Sequence, residues 1–258
     1  MFRDLVDEIN NYSSEPDLFL DVPFVPTDDE VVDVMLKLAK PGPKDVLYDL
    51  GSGDGRILIA AAKQRDTRGV GIDIDPTRIA DAMEYAGFAG VEHLVDFIEG
   101  DIFEEDFSEA TIVTLYLLDT VNVQLRPRLL GELRPGARII SHAFDMGDWK
   151  PDDFTELSGI RIYKWIVPAQ VAGVWEWERA DGRRCRVELE QEYQEVTGKA
   201  WLDDEEVRLS SADLRGPRLD LEIREDGKPA KRVTLTFSKD RRGQRQPPRI
   251  REQPRPTA

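Results

Sequence analysis

Apolar positions between residues 45 and 142 fall into short blocks that alternate between two periods. Runs at 45–50, 69–74, 95–99, 111–117 and 137–142 are β-rich, and 56–63, 76–86 and 121–133 space their apolar residues as helices do. Strands separated by helices predict parallel βαβ units with right-handed crossovers. The apolar character of both strand faces predicts a sheet covered on both sides, a doubly wound α/β architecture. Upstream, Thr27-Asp28-Asp29-Glu30 has the form of a capping box. Val31, Met35 and Leu38 then continue at helical spacing until Pro41-Gly42-Pro43, so a helix precedes the first strand.

The pattern changes after Trp149-Lys150-Pro151. A strand is expected at 160–167, and from Gly173 onward apolar residues recur at every second position: Val174, Cys185-Val187-Leu189, Leu219-Leu221-Ile223 and Val233-Leu235-Phe237. Asp181-Gly182 and Asp226-Gly227 sit between such runs as hairpin turns. The chain is therefore divided into an N-terminal segment at 1–26 with a short amphipathic helix through Leu5 and Ile9, a doubly wound domain at 27–168, a small antiparallel β domain at 169–238 (partial barrel or meander), and a basic, Pro-rich, disordered tail at 239–258.

Composition narrows the setting. A chain of 258 residues accommodates one α/β domain and a smaller appendage. The longest apolar run, near 112–118, is too short to cross a bilayer, and the first residues lack the basic stretch and apolar core of a secretory signal; a cytoplasmic protein is expected. The single cysteine, Cys185, excludes an internal disulfide and a multi-thiolate zinc site, and no metal site is expected. Net charge is −16; residues 238–258 carry +5, which leaves −21 on the remainder. Such a surface disfavours duplex nucleic acid; maintaining solubility, or a salty environment, accounts for it, and cationic partners are the functional alternative.

The chemistry concentrates where the first strand ends, in Asp49-Leu50-Gly51-Ser52-Gly53-Asp54-Gly55-Arg56. Glycines there permit a tight turn and close approach to a ligand, and the helix that follows presents unpaired N–H groups. A purely structural turn would explain the glycines alone. The strand before, the helix after, and Asp73 at the end of the second strand, placed to accept from ribose hydroxyls, favour a nucleotide-like ligand. The spacing Gly51-x-Gly53-x-Gly55 followed by Arg56 departs from the G-x-G-x-x-G dinucleotide fingerprint.

This loop resembles motif I of class I S-adenosylmethionine-dependent methyltransferases, Gly71-Ile72-Asp73 resembles their acidic second-strand motif, and Gly100-Asp101-Ile102 resembles the third-strand acid that approaches the adenine amine. With Val25-Pro26-Thr27, Tyr48 to Ile57, Ala60-Ala61-Ala62-Lys63 and Trp149-Lys150-Pro151-Asp152, the stretch 22–152 is similar to a bacterial branch of the seven-stranded protein-lysine methyltransferases. Mitochondrial relatives of that branch modify the c component of ATP synthase and the adenine nucleotide translocase, and the disruptor-of-silencing histone enzyme is a more distant cousin. The resemblance implies a Rossmann-like sheet, S-adenosylmethionine as cofactor, and Asp49, Gly51, Ser52, Gly53, Gly55, Asp73, Asp101 and Thr27 as its binding residues. It also implies a lysine on a protein as acceptor, in a basic or membrane-associated segment.

Methyl transfer from a sulfonium is an in-line displacement that needs alignment and a neutral acceptor amine more than dedicated catalytic groups. Tyr116, Asp119 and Asn122 follow the fourth strand, whose C-terminal end faces the ligand crevice, and are the acceptor-side candidates. Packing for Tyr116 and helix capping for Asp119 are the structural alternatives. His142 is expected to be structural rather than a base, and Asp145 and Asp148 to be solvated acids. After the fourth strand there is neither an Asp/Asn-Pro-Pro-aromatic motif, as in nucleobase-amine enzymes, nor the glutamate pair of protein-arginine enzymes. A small-molecule methyltransferase and a non-catalytic cofactor-binding module remain as alternatives.

Overall fold

Alternating apolar blocks become strands because the two faces of each strand are buried in different cores. The computed structural model describes residues 24–238 and 246–252, and in it adjacent side chains of one strand enter opposite sides of a sheet. Leu47 and Ile112 pack in one core, with Tyr48, Leu50, Val113 and Leu115 in the other. The first core is covered by α1 (Asp29–Ala39), α2 (Arg56–Arg65) and α3 (Pro76–Ala89), and the second by α4 (Asp119–Glu132), which contributes Val121, Leu125 and Leu129.

The strands are β1 (Val46–Leu50), β2 (Arg68–Asp73), β3 (Val95–Glu99), β4 (Ile112–Leu115), β5 (Arg138–His142), β6 (Asp153–Leu157) and β7 (Ile160–Ile166). They form one seven-stranded sheet in the order β3-β2-β1-β4-β5-β7-β6. β1 to β5 are parallel and β7 is antiparallel to both β5 and β6. The chain reverses direction across the sheet between β1 and β4, the switch point where α/β sheets open a crevice.

A second sheet follows, an antiparallel meander of β8 (Gly173–Glu178), β9 (Arg184–Glu192), β10 (Glu195–Leu202), β11 (Glu205–Arg215), β12 (Arg218–Arg224), β13 (Lys231–Thr236) and β14 (Arg249–Glu252), paired in sequence order. It curls, because Arg179 after β8 pairs with Glu252 of β14 at 3.3 Å and the Trp175 ring meets Phe237 at 5.2 Å. Gly182 and Gly227 take the positive φ their hairpin turns require. Cys185 is fully buried here, and burial pushes its thiol up to about 12, which removes it as a nucleophile.

Three expectations are corrected. The helix N-cap is Asp28, without a side-chain cap bond; Thr27 is buried and its carbonyl accepts from Arg56 Nη1 at 2.9 Å, so a tertiary anchor displaces the capping box. Part of the tail read as disordered, Arg249–Glu252, forms β14, because Ile250 finds the second core and the strand completes pairing with β13. β6, β10 and β11 add strands that the alternation does not predict, since their charged residues dilute it. The helix through Leu5 and Ile9 lies outside the described residues.

Among the described residues no helix is long and apolar enough to cross a membrane, and no cluster of His, Cys, Asp or Glu could hold a metal ion.

Candidate active site

The C-terminal ends of β1, β2, β3 and β4 open onto a cleft. Its floor is the Gly-rich loop, held against β2 because Gly51 and Ser52 both donate backbone N–H bonds to the Ile72 carbonyl, at 2.8 and 3.0 Å. Gly51, Gly53 and Gly55 have φ values of 79, 52 and 75°, the left-handed region that glycine enters without strain. A Cβ on Gly53 would lie 2.4 Å from the Phe24 ring, and one on Gly51 2.8 Å from Leu117. The glycines therefore serve conformation and space together.

Asp73 organises one wall. Its Oδ2 accepts from Gly53 N–H at 2.7 Å and its Oδ1 from Asp75 N–H at 3.0 Å, which leaves one lone pair on each oxygen for hydroxyl donors. Asp101 lies at the next strand end and accepts from Phe103 N–H at 2.8 Å. Ser52 Oγ is buried against Gly71 of β2 with no hydrogen-bond partner among the described residues, so Ser52 meets the cleft through the loop itself. The segment from Phe24 to Thr27 closes over this wall. The Phe24 ring lies 4.8 Å beneath the Arg78 guanidinium, and Arg56, paired with Asp54 at 2.6 Å, ties down Thr27.

Gly51, Ser52, Gly53, Asp73, Asp101, Thr27 and Tyr116 thus line one cleft. Two candidates lie beneath it. Asp49 is 3% exposed and accepts from Thr114 Oγ1 at 2.7 Å; burial pushes its carboxyl up to about 7, with the nearby Asp73 and Asp54 charges adding to the rise and the Thr114 bond opposing it. Gly55 caps α2 and faces Phe97 and Ala82.

On the β4 side the cleft is lined by one ring, Tyr116. Tyr116 lines the cleft, stacks on His142 at 3.8 Å between centroids and 27° between planes, and has Phe144 at 6.3 Å. Burial holds His142 below the usual imidazole range, partly offset by Asp28, and its Nδ1 has no partner among the described residues. The other acceptor-side candidates stand apart. Asn122 is fully buried, and its Nδ2 donates to Ser141 Oγ and the Phe144 and Asp145 carbonyls at 3.1–3.3 Å, bracing the loop after β5. Asp119 is exposed in the first turn of α4, where it accepts from Thr120 N–H at 2.9 Å. Leu117, Val121, Ile74 and Phe103 also line the cleft, with no sequence signal beyond their place after strands.

The sequence model of the ANTKMT methyltransferase domain matches residues 49–153. A protein-lysine N-methyltransferase of Saccharolobus islandicus is 45% identical over 133 residues, a match covering 51% of this chain and 83% of that protein. The adenine nucleotide translocase lysine N-methyltransferase of Mus musculus is 31% identical over 134 residues, 52% of this chain and little more than half, 58%, of that protein. A solved structure described as an RNA methyltransferase from Salinibacter ruber, in complex with S-adenosyl-L-homocysteine, is 54% identical with a TM-score of 0.56, covering 57% of this chain and 96% of that one. With the glycine loop, the Asp73 wall and the sheet order behind it, these matches show that the chain belongs to the S-adenosylmethionine-dependent methyltransferase family that includes the S. islandicus protein-lysine enzyme.

Proposed function

We propose that the protein methylates a lysine amine on a protein, presented in a basic segment. The observation that carries this reading is the Tyr116 ring, which lines the same cleft as Asp73 and is backed by the stacked His142. Bound S-adenosylmethionine supplies an electrophilic methyl on a sulfonium, which an amine attacks in line. In the same reading Asp73 holds the ribose hydroxyls, Asp101 the adenine amine, and Ser52 with Gly51 and Gly53 the remaining cofactor contacts. The Tyr116 ring beside the reacting amine disfavours its charged form by desolvation while still attracting the incoming cation by its π face. Water entering the cleft can take the amine proton, while the buried His142 backs the Tyr116 ring. The names of the S. islandicus and Mus musculus relatives support the acceptor class.

RNA is the second reading, motivated by the description of the S. ruber structure. The net charge of −16 opposes it, since phosphate backbones require a concentrated basic surface, whereas a lysine-rich segment is attracted within about one Debye length of 8–10 Å. Labelled methyl groups transferred into a lysate and then treated with protease or ribonuclease separate the two. Protease-sensitive label, with methyl-lysine found by mass spectrometry and transfer that weakens with salt, is the expected result. Ribonuclease-sensitive label, or label in metabolites alone, would overturn the proposal.

A further inference from the structure

Tyr193 and Gln194 form the two-residue turn between β9 and β10. Tyr193 sits there at φ 52°, in a position that glycine, asparagine or aspartate ordinarily fills because a large side chain is crowded at positive φ. Contacts outside the hairpin must hold such an outlier. They come from α4 and the loop between β5 and β6: the Tyr193 ring stacks on Trp149 at 5.9 Å and 19°, lies 5.3 Å from the Arg126 guanidinium, and its hydroxyl donates to Asp148 Oδ2 at 3.1 Å. Gln194 uses both ends of its amide, accepting from Trp149 Nε1 at 2.9 Å and donating to the Lys150 carbonyl at 2.8 Å. Trp149 beneath is fully buried, so the turn closes part of the first sheet's own core.

The segment so clamped, 143–150, begins directly after His142. Ala143 has φ 67° and Phe144 N–H donates to the His142 carbonyl at 2.8 Å, a tight γ-type turn of the strained hand. That turn sets His142 and Phe144 beside Tyr116. Asn122, Ser141 and Arg126 hold the same segment from below through the Phe144, Asp145 and Met146 carbonyls.

We infer that the Tyr193–Gln194 turn is a positioning element of the methyl-acceptor side, fixing segment 143–150 and through it the Tyr116–His142–Phe144 rings. This rests on the proposed placement of the acceptor at Tyr116. It gives the second sheet, which the matched residues 49–153 do not include, a part in the reaction without contact with the cofactor. Mere glue between sheets would act on both walls of the cleft alike.

The test uses the full chain saturated with S-adenosylhomocysteine. Tyr193→Gly relieves the backbone outlier while removing the ring, so a purely structural hairpin would tolerate it or gain; Gln194→Ala removes both amide bonds without touching the turn's backbone. Both should accelerate amide hydrogen exchange over 143–150 by about tenfold or more, leaving exchange over 49–56 unchanged. Affinity for S-adenosylhomocysteine by calorimetry should stay within about twofold, while kcat on the acceptor found by methyl labelling falls about tenfold. Tyr193→Phe, which keeps the stack, should restore most of the turnover. Unchanged exchange at 143–150, or equal loosening of 49–56, would overturn the inference. The exchange measurement needs no acceptor, so an RNA acceptor would sink the lysine reading and leave this one standing.

Discussion

The two walls of the cleft are built by different means. The wall proposed for the cofactor is local: one glycine loop, one acid at the end of the adjacent strand, and backbone N–H groups that meet within a few residues of β1 and β2. The wall proposed for the acceptor is a tertiary assembly: Tyr116 after β4 is backed by His142 and Phe144 around a strained turn after β5, Asn122 of α4 braces that turn from below, and a hairpin turn reaches back 45 residues to Trp149. The first wall tolerates little change because its glycines sit at positive φ with Phe24 and Leu117 in the space a side chain would need. The second is a set of side chains whose placement can drift without unfolding the sheet.

Gly53→Val tests the first half most severely. A branched Cβ at φ 52°, 2.4 Å from the Phe24 ring, should weaken S-adenosylhomocysteine binding by about a hundredfold or more in calorimetry. Asp73→Ala comes next. It deletes the acceptor for two backbone N–H groups and for the proposed ribose hydroxyls, and affinity should fall by about one to two decades. An affinity unchanged by Asp73→Ala would falsify the ribose assignment.

Asp49 divides the walls, since it lies under the loop and bonds to Thr114 of β4. Its carboxyl is raised from an ordinary value of 3.8 to about 7 in the folded protein, so the contribution of the protonated form to stability is full below about pH 4 and is lost as pH rises through about 7. Asp49→Asn keeps an oxygen to accept from Thr114 and removes the titration. Chemical denaturation between pH 5 and 8 should show the variant gaining on the natural protein as pH rises, by about 1–3 kcal/mol at the upper end. A constant difference across that range would mean that Asp49 stays ionised. The smallest effect is expected from Asp119→Asn, because that carboxylate is exposed and satisfied within its own turn. Turnover should change by no more than about twofold. A tenfold loss in kcat would extend the acceptor wall onto the first turn of α4.

The sequence determined the alternation of strands and helices from 45 to 142, the glycine loop and the acids at the ends of β2 and β3, because each is written in residues adjacent along the chain. Period and turn chemistry are local, and glycine at positive φ has few substitutes. Tertiary structure alone decided that Thr27 serves as an anchor for Arg56 rather than a cap, that Asn122 braces a loop instead of facing the cleft, and that Ile250 recruits part of the basic tail into the second sheet. It also decided that Tyr193 belongs to the core of the other sheet. In each case the partner lies far away in sequence, and burial or a hydrogen bond formed there outweighs the local preference that the residue type expresses.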